Sequence, residues 1–191
     1  MERLQNTQKA SLQSCRSLRL GRQLRRLAAS LSAAVCLLAV GMGVAMAEAQ
    51  RLAVFDFELI DTSLEGEVSG ERADEQQRLI LISDLLRQLL GDSGRYEIVD
   101  IAPAAAEIEK AGYIHGCNGC DGKIARSLGA ELAMTGTVQK VSNLILNINL
   151  YLRDAESGER LKAMSVDIRS NTDKSWSRGV SYLVRNRILK E

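Results

Sequence analysis

The residues best suited to chemistry sit close together. Cys117-Asn118-Gly119-Cys120 has His115 two residues before it and Asp121 directly after it. Cysteines at this spacing have three uses. They can close a disulfide that pins the start of the following helix. They can form an exchanging dithiol, since a thiol at a helix amino terminus ionises more readily. They can also join His115 and Asp121 around a metal. A closed zinc site wants four ligands, usually with a second distant pair, whereas His115 is the only histidine. Covalent haem needs histidine directly after the second cysteine, where Asp121 stands. An exchanging dithiol normally follows a central strand and faces a cis-proline loop, but Pro103, the only proline, precedes the motif. The pair therefore reads as a structural disulfide, with the redox dithiol as the alternative and no metal or cofactor.

Hydrolytic chemistry finds no constellation. His115 is the only imidazole, and no serine sits in a G-x-S-x-G elbow. Asp56 and Asp100 fall near strand ends, where paired carboxylates can work or simply be solvated. Asn147, Asn149, Tyr151, Asp167 and Arg169 alternate with apolar residues on neighbouring strands, as a binding face or an ordinary wet sheet surface would. Trp176 belongs to the inner face of a helix. The function class this favours is a non-catalytic module.

The compartment follows from the amino-terminal end. Residues 1–47 carry Arg3, Lys9, Arg16, Arg19, Arg22, Arg25 and Arg26 against Glu2, a balance of +6. An apolar run from Leu27 to Ala45 then closes on Ala45-Met46-Ala47. This order predicts a secretory signal peptide cleaved after Ala47, with an uncleaved membrane helix as the competing reading. The residues after Arg25-Arg26 do not complete a twin-arginine motif, and Ala34-Val35 before Cys36 makes a poor lipoprotein box. Cys15 and Cys36 would leave with the signal, so Cys117 and Cys120 remain for an oxidising compartment. With +1 for the whole chain of 191 residues, residues 48–191 carry −5. That excludes the basic stripe nucleic acid requires, and no amphipathic membrane-binding helix is visible.

The elements that must position these residues change period midway. Arg51 to Asp61 reads as one strand, and Thr62 to Ala73 as a mobile polar loop. Asp74 to Leu90 is a helix with Leu79, Ile82, Leu86 and Leu89 at helical spacing; Asp74 with Gln77 resembles a capping box, and Gly91 ends it. Tyr96 to Asp100 is a strand. Pro103 opens a helix through Lys110, Gly112 closes it, and Gly122 to Leu128 forms another. Glu131 to Val141, Leu144 to Asp154 and Arg160 to Ser170 then alternate with period two, as an antiparallel meander. In the middle strand Leu144, Leu146, Ile148, Leu150 and Leu152 face inward. Asp173 caps a last helix with Trp176, Val180, Leu183, Val184 and Ile188 inside. The order β-α-β-α-α-β-β-β-α predicts one α/β (α+β) domain over 48–191, with a mixed sheet.

The opening LAVFDF strand, the Leu-rich helix, YEIVD, SLGAELAMTGTVQKV and the D-x-x-S-G turn occur in a telling order. They resemble the α/β domain shared by the amino-terminal part of TolB and the periplasmic part of the curli secretion factor. The segment CNGCDGKIARSLGAELAMTGTVQKVSNLILNINLYLRDAESGE is similar to a family of predicted secreted bacterial proteins of unknown function. The resemblance implies a periplasmic interaction or accessory module that contacts envelope proteins. It also carries an association with periplasmic quinoprotein alcohol dehydrogenases, so an accessory factor of such an enzyme is a further alternative.

Overall fold

The computed structural model describes residues 48–190; the expected signal peptide lies outside them. β1 (Gln50–Val54) and β2 (Glu58–Asp61) run in line. Short α1 (Leu64–Ser69) and long α2 (Ala73–Gly91) lead to β3 (Tyr96–Val99). A 3-10 turn (Ala102–Ala104), α3 (Ala105–Ala111) and α4 (Cys120–Ser127) lead to β4 (Leu132–Ser142). β5 (Ile145–Asp154), β6 (Arg160–Ile168) and α5 (Asp173–Leu183), extended by a π-helical turn (Val184–Ile188), complete the order. The sheet is mixed, in the order β3-β1-β4-β5-β6, with β2 also pairing with β4. β1 lies parallel to β3 and β4, whereas β4, β5 and β6 are antiparallel.

Two apolar layers hold the sheet. On one face Leu79, Ile82 and Leu86 of α2 and Trp176, Val180 and Leu183 of α5 pack over every strand from β1 to β6. On the other, Ile114, Ile124 and Ala125 from the α3–α4 region pack on Ala53, Phe55 and Ala133. Each fully buried Leu or Ile contributes about 1.5–3 kcal/mol. β5 and β6 give no strand residue to this second layer.

Arg51 to Asp61 is not one strand. Val54 pairs with Met134, and Glu58 with Thr137, so the first line uses one residue more than β4. That extra residue exchanges the two faces of the strand. Leu52 and Val54 face the α2–α5 layer before it, and Phe57 and Leu59 face that same layer after it. Phe55 therefore buries on the opposite side from Phe57, and Asp56 between them is exposed. Ser83 Oγ accepts the Phe57 amide at 2.9 Å, which satisfies a group the interruption takes from the ladder. Phe57 lies against Gly136, where a Cβ would come within 2.4 Å of the ring.

Other boundaries differ for local reasons. Thr62 to Ala73 contains α1 and is not a plain loop. Asp74 does not cap α2, since Arg72 is the cap residue and makes no side-chain bond there; Asp74 binds Arg72 and Arg78 instead. α5 is capped by Thr172 with Ser175, a reciprocal pair, and Asp173 pairs with Arg78. Leu144 lies in the β4–β5 turn and is 71% exposed, so the inward face of the middle strand begins at Leu146.

Gly136→Ala should lower stability by about 1–3 kcal/mol through overpacking against Phe57. Phe57→Leu in that background should recover part of the loss in denaturant melts. A neutral Gly136→Ala would mean the ring has somewhere else to go.

Candidate functional site

The cysteine loop is built from backbone geometry. Asn118 has φ 54° and Gly119 φ 99°, two left-handed residues in succession that turn the chain so that Cys120 starts α4. Asn118 is the only non-glycine with positive φ among the described residues. Cys117 and Cys120 are joined by a disulfide, with Cα atoms 5.6 Å apart. Both oxygens of Glu58 hold the preceding loop, accepting the Ile114 amide at 2.5 Å and the His115 amide at 3.0 Å. The His115 ring lies 4.8 Å from that of Tyr151. Asp121 is buried and accepts from Arg153 Nε at 2.9 Å. The sulfurs are thus joined to each other, the His115 ring lies against Tyr151, and Asp121 bonds Arg153 through Oδ2 while its buried Oδ1 has no partner among the described residues.

The open face of β5 and β6 assembles as the alternation implies. Asn147 pairs with Asp167, Asn149 with Ser165 and Tyr151 with Ala163. Asn147 Nδ2 donates to Asp167 Oδ1 at 2.7 Å, and Asn149 contacts Thr137 Oγ1 at 3.5 Å. The Arg160 guanidinium sits 5.0 Å from the Tyr151 ring centre. Arg169 is exposed just past the end of β6.

Asp56 and Asp100 line one cleft, at the carboxyl ends of β1 and β3. Asp56 binds Arg87 at 2.5 Å, and Asp100 accepts the Ala102 amide at 3.0 Å.

One cluster had no expectation attached. Lys140 is completely buried, and its Nζ touches Glu75 Oε1 at 2.7 Å, Asp61 Oδ2 at 3.0 Å and Glu65 Oε2 at 3.1 Å. Glu75 is equally buried; Asn171 donates to its Oε1 at 2.5 Å, while Oε2 has no partner. Asn143 bridges Glu65 and Asn171. Burial pulls the Lys140 pKa down, but hydrogen bonds to Glu75, Asp61 and Glu65 outweigh it, and the net shift is upward. Burial raises Asp61, and bonds from Ser63 and Lys140 lower it further than burial lifts it. Glu65 is lowered by Lys140 and Asn143. Nearby Asp74 is held well below the usual carboxylate range by Arg72 and Arg78. A signal for this cluster existed in the sequence. Leu132, Met134, Val138 and Lys140 share parity along β4, so the alternation that buries the first three buries the lysine as well.

Residues 50–188 match the family DUF3280, described as "Protein of unknown function (DUF2380)". No curated protein matches the sequence. Among solved structures the chain is similar to the LpoB C-terminal domain from Salmonella enterica, at 16% identity and TM-score 0.48, over 71% of this chain and 93% of that one. It is similar to the PelC dodecamer from Paraburkholderia phytofirmans at 14% identity and TM-score 0.43, over 74% and 91%. It is also similar to TolB from Acinetobacter baumannii at 12% identity and TM-score 0.44, over 74% of this chain and 28% of that one.

Two predictions follow from the geometry. Cys117→Ser/Cys120→Ser protein should keep its far-ultraviolet dichroism and lose about 2 kcal/mol, the value for so short a loop. Its wild-type pair should have a reduction potential below about −300 mV; a value near those of exchange proteins would favour the redox reading.

Lys140→Met should cost about 3–5 kcal/mol at pH 7, because it leaves buried carboxylates without their cation. In the wild type, the depressed Asp61, Glu65 and Asp74 contribute stability that is complete above their ordinary values near 4. That contribution is lost as pH falls through their lower folded values. Lys140 stays charged throughout this range, and the contribution its raised pKa reports fades in acid with the carboxylates that raise it, and in alkali beyond its ordinary value. The Lys140→Met deficit should therefore be smaller at pH 3 than at pH 7 in denaturant melts. An equal deficit at both would show that the cluster is solvated.

Proposed function

The chain belongs to the DUF3280 family, and we propose that it is a non-catalytic module of the bacterial envelope which recognises a partner protein through the open face of β5 and β6. The observation that carries the reading is the arrangement of Asn147, Asn149, Tyr151 and Asp167 on two long paired strands, with the second apolar layer ending short of them. Side chains on a rigid sheet lose little freedom on binding, which favours recognition over a floppy loop. Tyr151 is a large amphipathic anchor of the kind enriched at interfaces, and Arg160 and His115 hold its ring.

Export is supported by the basic and apolar order of residues 1–47. Among the described residues no helix is long and apolar enough to cross a membrane. The non-catalytic reading is supported by the occupation of the chemically able groups: His115 stacks on Tyr151, and Asp121 pairs with Arg153. A redox role for Cys117 and Cys120 is the second reading, favoured by the position of Cys120 as the first residue of α4. Service to a periplasmic quinoprotein dehydrogenase is a narrower form of the first.

Asn147→Ala and Asp167→Ala should each change stability by no more than about 0.5 kcal/mol, as surface changes do. Together they should weaken capture of an envelope protein from extract by the purified chain. Unchanged capture with unchanged stability would remove the face from the proposal.

A further inference from the structure

We propose that the cleft at the carboxyl ends of β1 and β3 binds a small organic cation, a protonated amine carried on an apolar body. The topology opens this cleft. From β2 the chain crosses to β3 over one face through α2, and from β3 to β4 over the other through α3 and α4. The neighbours of β1 thus leave its carboxyl end on opposite sides, the arrangement that creates a ligand crevice in α/β sheets. The extra residue in the first line deepens the crevice. Phe55 and Phe57 turn to opposite faces and leave Asp56 between them, 68% exposed.

The cavity holds about 670 Å³, within the roughly 300–1,000 Å³ common for small-molecule sites. Its apolar wall includes Phe55, Ile98, Val99, Ile101, Ala105 and Ile108. Its charged groups are unequal in what they still offer. Arg87, the one cation in the lining, has four of its five N–H groups engaged: Nε and Nη2 donate to Val54 O at 3.3 and 3.0 Å, Nη2 to Asp56 at 2.5 Å and Nη1 to Asp84 at 3.1 Å. Glu58 is spent on Ile114 and His115. Among the described residues, Asp56 and Asp100 each keep one oxygen without a partner, and Glu109 keeps both. An anion would meet three carboxylates against the single N–H that Arg87 has left. An ammonium group meets free acceptors, while its hydrocarbon covers the isoleucine wall.

The test titrates hexylammonium, hexanol and hexanoate into the purified protein and follows amide shifts by NMR. Hexylammonium should shift the amides of Asp56, Ile101 and Ile108. It should bind about five-fold more tightly than hexanol and at least about ten-fold more tightly than hexanoate, as a few partly solvated charges dictate. Asp56→Asn/Asp100→Asn/Glu109→Gln should reduce hexylammonium to the affinity of hexanol without changing hexanol itself. Ala105→Trp, on an exposed helix position lining the cleft, should block both. Three outcomes overturn the proposal: hexanoate binding as tightly as hexylammonium, a preference for hexylammonium that survives the triple substitution, or no probe shifting these amides. The readout lies in the cleft and not on the β5–β6 face, so its failure leaves the protein-recognition reading untouched.

Discussion

Between Val54 and Glu58 the first line of the sheet advances one residue further than β4, which runs beside it from Met134 to Thr137. A sheet with apolar layers on both faces would ordinarily resist such a slip, because every later side chain changes sides. Here the sequence is matched to it. Leu52 and Val54 before the slip, and Phe57 and Leu59 after it, reach the same layer, and Gly136 leaves the room that Phe57 fills. Phe55 closes the opposite layer. The Ser83 hydroxyl, buried on α2, takes the Phe57 amide and in turn donates to Leu79 O. The placement of α2 and the depth of the cleft both depend on this one residue.

The Lys140 cluster works at the far end of the same strand pair. A buried ammonium loses several kcal/mol of hydration, which only close carboxylates offset. Asp61, Glu65 and Glu75 come from β2, α1 and α2, and Asn143 and Asn171 extend the network to the β4–β5 turn and the approach to α5. Gly66 lets α1 approach, since a Cβ there would lie 2.6 Å from the Asp61 carboxylate. α1 buries none of its residues, so polar bonds through Glu65 and Ser63 are what hold it. Apolar groups of similar volume often serve stability as well as buried ions do. What the ions add is a fixed register for four separate segments.

How much of this was legible follows from the range of each interaction. The β4–β6 meander could be read because alternation is local, and Leu146 to Leu152 bury as the pattern requires. α2 and α5 could be read from helical spacing. The slip could not, because Ala53, Phe55, Phe57 and Leu59 alternate without a break and look like one face of one strand. Nor could the loop after Asp61, whose helix is secured by a lysine 75 residues away from Glu65. Caps went astray where one acidic residue stood beside another candidate: Thr172 took the role expected of Asp173, and arginines claimed Asp74. For the candidate sites, residue identities and faces were readable, whereas which carboxylates remain unpaired is a property of tertiary contacts alone.

The disulfide gains a sharper structural meaning from these contacts than loop closure gives it. A crosslink over so short a loop stabilises little, yet the segment it anchors touches both candidate surfaces. Ile114 lines the cleft, and its neighbour His115 stacks on Tyr151 of the open face. Glu58, itself part of the cleft lining, fixes both by their amides. Ile114 and His115 lie in a turn, with the Cys117 amide donating to Ile114 O at 3.4 Å, so one short piece of backbone serves the two surfaces only while its rotation is fixed. Glu58 fixes it from the sheet side, and the Cys117–Cys120 bond fixes it from the α4 side. The left-handed Asn118 and Gly119 make that second attachment possible within four residues. The cysteines thus bear on the ring of Tyr151 and the wall of the cleft through geometry.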